Sequence, residues 1–218
     1  MITIAMAGQT LTLAGLVGIL RVTGKFNIFI QAHTGDDLIL QLQQAATLPD
    51  ICIIGAKPEG INALAVAEQI HKKWSGLKTI VLTSLDRPVS LMFMKQCGVK
   101  AYVIPTCCEE DFIETIDLVA HGYCYYPPHL ALQLDELVKN RKRNRNGHLF
   151  SPKELTVISL LCGQHTPKEI AYATGGKLST VNTNLNRIKQ KLQVSTNQEL
   201  LVLLQDAGLD MTRTATCR

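Results

Sequence analysis

Polar and basic side chains recur at helical spacing in the last third of the chain, in a pattern that could bind DNA. At about 100° per residue, one face of such a helix would carry Asn182, Thr183, Asn186, Arg187 and Gln190. Side-chain amides can pair with base edges, and cations attract phosphate. Solvated helix faces usually mix both signs of charge, whereas this helix and its flanking turns contain no Asp or Glu. The pattern therefore predicts contact with DNA.

The same helix has an apolar side that should face a core. A buried stripe is predicted at Val181, Leu185, Ile188 and Leu192, on a helix over about 179–192. Burial of this stripe would leave the amide and basic side chains in solvent.

Two helices before this one are predicted to open with the same capping device. In "SPKE" and "TPKE", Ser151 and Thr166 are N-caps, a proline takes the first helical position, and Glu154 and Glu169 stand three residues after the caps. A last helix is expected to open at Ser195, with Gln198 three residues later. Four short helices joined by tight turns predict an all-α, four-helix helix-turn-helix domain.

Charge divides the chain into two parts. Residues 1–138 contain nine Lys or Arg and 13 Asp or Glu, whereas residues 139–218 contain 13 basic and five acidic residues. The run KNRKRNRNG has five bases and no acidic or apolar residue, so it cannot bury surface and predicts a solvated linker. We therefore expect an N-terminal domain over 1–122, a linker with a basic run over 123–147, and the helix-turn-helix domain over 148–218.

Strand-like and helix-like segments alternate through the N-terminal domain. Short runs rich in β-branched residues predict strands near 1–6, 26–32, 50–54, 78–83 and 100–104. Helix-length stretches lie near 11–22, 36–46, 60–73, 87–96 and 109–121. Five βα units in this order predict a doubly wound α/β domain, (βα)5, with a parallel sheet and helices on both faces.

This N-terminal domain resembles the receiver domain of bacterial response regulators. The matching segments are "PDICII", "TIVLTS", "CGVKAYVIP" and "AHTGDDL", and Tyr102 falls on the aromatic switch position of that family. The resemblance implies a phosphorylation site at the carboxyl ends of the strands, where α/β domains place their chemistry. That site would use a carboxylate pair for Mg²⁺, an aspartate as phosphoryl acceptor, a hydroxyl residue and a lysine.

The residues at those positions lack this chemistry. The carboxylate pair is replaced by Ala7 and Gly8, the acceptor by Gly55 and the lysine by Pro105, and only Thr83 remains. Alanine and glycine supply neither a nucleophile nor a ligand for a hard cation. We therefore expect a pseudo-receiver that works without aspartyl phosphorylation.

The vacated phosphorylation pocket leaves two interpretations open. It could admit a small ligand or a neighbouring side chain, or its small residues could let the loops close over the gap. Four other acids in nearby turns could in principle substitute for the missing carboxylates, but each is more simply a helix N-terminal or solvated turn residue. They are Asp36, Asp37, Glu59 and Asp86.

The C-terminal domain resembles the four-helix DNA-binding domain of the LuxR type, as found in the NarL/FixJ class of response regulators. The matching segments are "LFSPKELTVISLL", "PKEIA", "TVNTNLNRIKQKLQV" and "STNQELLVLL". The resemblance implies base reading by Asn182, Thr183 and Asn186. It implies phosphate contacts by Lys168 and Thr180.

Three further phosphate contacts are predicted from charge and helical angle alone, without the resemblance. They are Arg187, Lys189 and Lys191. The family commonly has Lys and His where this chain has Asn182 and Asn184, so its base preferences do not transfer. Asn pairs in a bidentate manner with adenine, which predicts a half-site containing A·T pairs.

The last helix is rich in leucine. Its side chains include Leu200, Leu201, Leu203 and Leu204, and the resemblance implies that this helix pairs two copies of the domain. The alternative is that all four leucines belong to the core of one chain. A homodimer, or a heterodimer with another regulator, would read two half-sites about one helical turn apart.

Several other classes of function find no support in the sequence. Seven cysteines occur without a C-x-x-C motif or zinc-type spacing, so we expect reduced thiols, no metal and no cofactor. Gln9, Thr10 and Thr12 interrupt the apolar N-terminus and no basic segment precedes it, which predicts a cytoplasmic protein without membrane contact. The turns after the first and third strands offer no nucleophile or phosphate loop, so we expect no enzyme.

The sequence thus predicts a transcriptional regulator that binds double-stranded DNA. Two other functions remain as alternatives. The chain could be a protein-interaction module whose helix-turn-helix no longer binds DNA. It could also be a pseudo-receiver that senses a small ligand and regulates a partner transcription factor.

Overall fold

A computed structural model of the chain describes residues 1–55, 62–84, 87–138 and 149–206. The chain forms two compact units, which we call the sheet unit, Met1–Gln133, and the helical unit, Leu134–Arg218. Several features predicted above lie outside the described residues. They are Glu59, Asp86 and the basic run at 139–147.

The sheet unit contains five parallel strands in the order β2-β1-β3-β4-β5. Their bounds are β1 Ile2–Ala7, β2 Phe26–Ala32, β3 Ile51–Gly55, β4 Lys78–Leu82 and β5 Val99–Val103. These bounds lie within one or two residues of the predicted strands. The strands are rich in β-branched residues. They are buried along most of their length, because helices cover both faces of the sheet.

Five helices alternate with these strands and confirm the predicted (βα)5 fold. Their bounds are α1 Thr10–Val22, α2 Gly35–Gln44, α3 Ala63–Lys73, α4 Pro88–Gln96 and α5 Glu109–Ala120. One face of the sheet packs against α1 and α5, in a core that includes Leu13, Val17, Phe112 and Ile116. Helices α2, α3 and α4 cover the other face, and Tyr102 of β5 is fully buried.

The segment after α5 is more ordered than the predicted linker over 123–147. Tyr125 joins the edge of β5 through two backbone hydrogen bonds of 3.0 Å. The hydroxyl of Tyr126 donates to the carbonyl oxygen of Val99 at 2.7 Å. A further helix, α6, follows at Pro128–Val138. Backbone hydrogen bonds and the phenol of Tyr126 hold the start of this segment on the sheet unit, whereas the run predicted to be solvated, 139–147, lies outside the described residues.

The helical unit contains four helices after α6, with bounds at α7 Pro152–Cys162, α8 Pro167–Ala173, α9 Leu178–Leu192 and α10 Asn197–Asp206. The capping boxes of α7 and α8 are present as predicted, with Ser151 paired to Glu154 and Thr166 paired to Glu169. Within the described ranges, every helix is too short or too polar to reach across a lipid bilayer.

The start of α10 differs from the prediction of Ser195 with Gln198. The hydroxyl of Thr196 accepts a hydrogen bond from the backbone N–H of Glu199 at 3.1 Å. The Glu199 carboxylate accepts in return from the backbone N–H of Ser195 at 2.7 Å. A carboxylate satisfies the free N–H groups of a helix start better than an amide, because it also complements the positive end of the helix dipole.

Candidate nucleic-acid interface

Helix α9 separates its apolar and polar side chains as its sequence predicts. The predicted stripe is buried, at Val181, Leu185, Ile188 and Leu192. The candidate DNA-contacting side chains on the outward face are exposed, at Asn182, Thr183, Asn186, Arg187 and Gln190. The burial follows from packing of α9 against α7, α8 and α10. Packing therefore turns the amides and the guanidinium toward solvent together.

The first turn of α9 differs from that of its neighbours. Lys177 is the N-cap and makes no side-chain capping bond, and no acid stands in the first turn. Thr180 is exposed here, and Lys168 is exposed on α8. The hydroxyl of Thr183 donates to the carbonyl oxygen of Ser179 at 2.9 Å, so its donor is used within the helix. A methyl group and an acceptor oxygen remain for contact with a base.

Lys191 does not stand free as the sequence predicted. Its ammonium lies 2.7 Å from both carboxylate oxygens of Glu154 on α7, and 5.5 Å from the ring centroid of Phe150. The Lys191 side chain is 24 % exposed and that of Glu154 is 4 % exposed. This pairing argues against the sequence-based assignment of Lys191 as a phosphate contact, because its charge is already neutralised inside the helical unit.

The carboxylate of Glu154 has a lowered pKa. Its burial alone would raise the pKa, but the hydrogen bonds and charge of Lys191, together with the hydrogen bonds of Ser151, outweigh that penalty. The backbone N–H of Ser151 donates to Glu154 at 2.7 Å. Glu154 is thus ionised at neutral pH, and its carboxylate is paired with both Lys191 and Ser151.

The four leucines predicted to form a dimer contact on α10 divide into two pairs. Leu200 and Leu204 are 0 % exposed, because this side of α10 packs against α7 and α9. These two residues belong to the core of the chain, so their assignment to a dimer surface is wrong. Leu201 and Leu203 are half-buried, and Val202 between them is 52 % exposed.

The carboxyl ends of β1 and β3 in the sheet unit are packed against each other. A methyl group added at Gly55 would stand 3.4 Å from the carbonyl oxygen of Ala7 and 3.6 Å from the Cα of Gly8. A methyl group added at Gly8 would stand 3.6 Å from the side chain of Leu13. These separations are those of ordinary van der Waals contact, so the backbones of the two strand ends lie close together at this position.

The remaining positions of the vacated pocket differ in exposure. Thr83 is buried, and its backbone N–H donates to the carbonyl oxygen of Val103 at 3.0 Å. Pro105 is exposed. In the part of the chain that the structure describes, no group of His, Cys, Asp and Glu is placed to hold a metal ion.

Comparison with known proteins identifies relatives over nearly the whole length. The transcriptional regulatory protein DesR of Bacillus subtilis is 27 % identical over 209 residues, which cover 95 % of this chain and 98 % of DesR. The oxygen regulatory protein NreC of Staphylococcus carnosus is 26 % identical over 160 residues, which cover 70 % of this chain and 74 % of NreC. No family model matches the chain.

A solved structure shares the fold. RcsB of Salmonella enterica serovar Typhimurium, bound to promoter rprA in the presence of phosphomimetic BeF3-, gives a TM-score of 0.59 at 18 % identity. The match covers 99 % of this chain and all of that one. DesR is named as a transcriptional regulatory protein, NreC as an oxygen regulatory protein and RcsB as a response regulator. The order of a (βα)5 domain followed by a helical domain is common to RcsB and to this chain.

One feature of the helical unit was not evident from the sequence. The resemblance accounts for the outward face of α9, and the capping motif accounts for Glu154 as a cap, but neither pairs Glu154 with Lys191. A signal was present, because Glu154 is one of only five acids in residues 139–218. A buried carboxylate in a basic domain requires a cationic partner.

Proposed function

We propose that this chain is a sequence-specific, DNA-binding transcriptional regulator that places α9 in the major groove. The observation that carries the proposal is the outward face of α9, where amides and a guanidinium are exposed and no carboxylate occurs. A polyanionic duplex is the partner for such a face, because each carboxylate on it would repel phosphate. The DNA-bound state of RcsB and the regulatory role in the name of DesR support the same function.

The roles of individual residues follow from their chemistry. Asn182, Thr183 and Asn186 read bases, since amides and a threonine methyl can distinguish base edges. Lys168, Thr180, Arg187 and Lys189 hold phosphates, and Gln190 contacts the groove edge. Phosphate contacts set register and most of the affinity, whereas the base contacts set the sequence.

A binding titration tests the function itself. The full chain should bind a random-sequence duplex, and the affinity should fall steeply as salt rises, because binding releases counterions. The absence of binding at low salt would contradict the proposal and favour the protein-interaction module.

Replacement of Asn186 and of Lys168 should have different effects. We expect Asn186→Ala to lower affinity for a duplex selected from a random pool by about tenfold, with little change on random duplex, since one base contact is lost. We expect Lys168→Ala to weaken both duplexes equally and to reduce the salt slope by about one. Titrations of both duplexes at several salt concentrations measure the two effects.

Gln198→Ala is the control for these variants, because it removes an exposed amide from α10 rather than from α9. It should bind both duplexes as the unmodified chain does. Two results would rule out base reading by Asn186. One is that the control also loses its preference for the selected duplex, and the other is that Asn186→Ala loses affinity equally for both duplexes.

The proposal includes regulation without aspartyl phosphorylation. The ends of β1 and β3 carry no acceptor carboxylate, because Ala7, Gly8 and Gly55 stand there. A phosphoryl group would also lack the metal and the lysine that neutralise its charge.

An aspartate placed at the predicted acceptor position, Gly55, should not enable the chain to accept a phosphoryl group. We expect neither the unmodified chain nor Gly55→Asp to gain the mass of a phosphoryl group from acetyl phosphate and Mg²⁺. We also expect Gly55→Asp to lose about 2 kcal/mol of stability, since it places a half-buried carboxylate beside the carbonyl oxygen of Ala7. Intact-mass spectrometry and thermal unfolding measure the two results.

Ser84→Asp is the matched control, since it adds the same carboxylate at an exposed position just beyond β4. Its stability should be nearly unchanged. A stable phosphoryl adduct on either the unmodified chain or Gly55→Asp would show that the site is competent.

Dimer formation is part of the proposal. The outward side of α10, with Leu201, Val202 and Leu203, is the surface that a second copy or another regulator would cover. Two linked helical units would read two half-sites about one helical turn apart. The molar mass in solution across a dilution series, with and without duplex, tests this assignment.

A further inference from the structure

The ion pair between Lys191 and Glu154 joins the last turn of α9 to the first turn of α7. Both bonds are 2.7 Å, the carboxylate is nearly fully buried, and the ammonium lies against the ring of Phe150. Among the described residues of the helical unit, this is the closest link between charged groups on different helices. The pair therefore constrains α9 at the end away from Asn182 and Thr183.

Stability alone does not explain why charges occupy this position. Apolar residues of similar volume often replace a buried ion pair with no loss of stability, because both charges must be desolvated. The apolar stripe of α9 already supplies the burial that holds the helix. Apolar contact has little directional preference, so the stripe by itself permits small rotations and shifts of α9. Two short charged hydrogen bonds do not permit them.

We propose that Lys191 and Glu154 are positioning residues, which fix the orientation of α9 so that Asn182, Thr183 and Asn186 meet base edges together. The inference rests on the proposed function, since it assigns how the DNA-reading face is held. Neither residue touches DNA in this assignment. Loss of the pair would leave the phosphate-binding cations in place but would misalign the side chains that read bases.

Glu154→Gln provides the sharpest test, because the electrostatic and the positioning effects have opposite signs. Removal of one negative charge from a DNA-binding domain should by itself raise affinity for DNA. Loss of positioning should instead lower affinity for the selected duplex by about tenfold, as one base contact is lost. A Gln at this position still accepts from Ser151, so the capping box of α7 is kept.

Lys191→Met and Lys191→Arg complete the test. Lys191→Met should weaken binding to the selected duplex with an unchanged salt slope, whereas loss of a phosphate contact lowers the slope by about 0.9. Lys191→Arg keeps the pair and should keep the affinity. The double variant Glu154→Gln/Lys191→Met leaves no buried charge and should fold even if a single variant does not, with the same loss of discrimination.

The experiment is a titration of the full chain and these variants with the selected duplex and a random duplex, after circular dichroism has verified helix content. Selective loss of affinity for the selected duplex, at unchanged slope, supports the inference. Unchanged or tighter binding by Glu154→Gln, or a lower slope for Lys191→Met, overturns it. Failure of the unmodified chain to bind any duplex would instead refute the proposed function.

Discussion

Gly98→Ala should destabilise the sheet unit by about 3 kcal/mol, which is a large fraction of the stability of a domain of this size. Gly98 precedes β5 with a φ of +76°, a conformation that costs energy for any residue with a Cβ. An added methyl group would also overlap the imidazole of His71 on α3, an exposed side chain that would have to turn aside. The backbone strain and the displacement of the imidazole add to each other, because the folded variant must bear both.

The tryptophan fluorescence of Trp74 measures this loss during urea unfolding. Trp74 is the single tryptophan of the chain and follows α3 in the sheet unit. Gly24→Ala is the control, because Gly24 has a φ of +63° but open space around its Cα. It should lose only about 1 kcal/mol, the cost of the backbone alone. Equal losses in the two variants would show that the approach of His71 does not matter.

Arg187→Glu should weaken binding to DNA by on the order of 100-fold at moderate salt, the largest effect we expect from one surface substitution. The change removes a phosphate contact and places a carboxylate on a face that has none. Arg187 is exposed on α9, so the fold should not respond. The salt slope should fall by about one, and titrations at several salt concentrations measure both quantities.

Lys153→Glu is the control for net charge. It makes the same change in charge within the helical unit, at an exposed position on α7. Its effect should stay within about threefold, because charges beyond a Debye length are screened. If the two variants lose affinity equally, binding depends on overall charge and not on the face of α9.

Local patterns accounted for much of the structure. The capping boxes of α7 and α8 and the buried stripe of α9 are set by spacings of three and four residues, which the sequence displays directly. The strands of the sheet unit are set by short β-branched runs between helix-length segments. Such features depend on neighbours in the chain, so their prediction needs no knowledge of packing.

Features that join distant segments were missed or misassigned. Lys191 appeared free because its partner Glu154 lies 37 residues away, and a helical angle does not reveal which charge a packed helix will meet. The sequence could not predict that Leu200 and Leu204 are buried while Leu201 and Leu203 are half-buried. Leucines lie on several sides of α10, so its pattern does not show which side packs against α7 and α9.

The sequence by itself determined the two fold classes and the outward face of α9, since residue type and local period decide each of them. Only the tertiary structure decided that Leu200 and Leu204 of α10 face the core, and that Lys191 is held inside the helical unit. Both results depend on which surfaces meet once the chain is packed, and packing energies are collective rather than local.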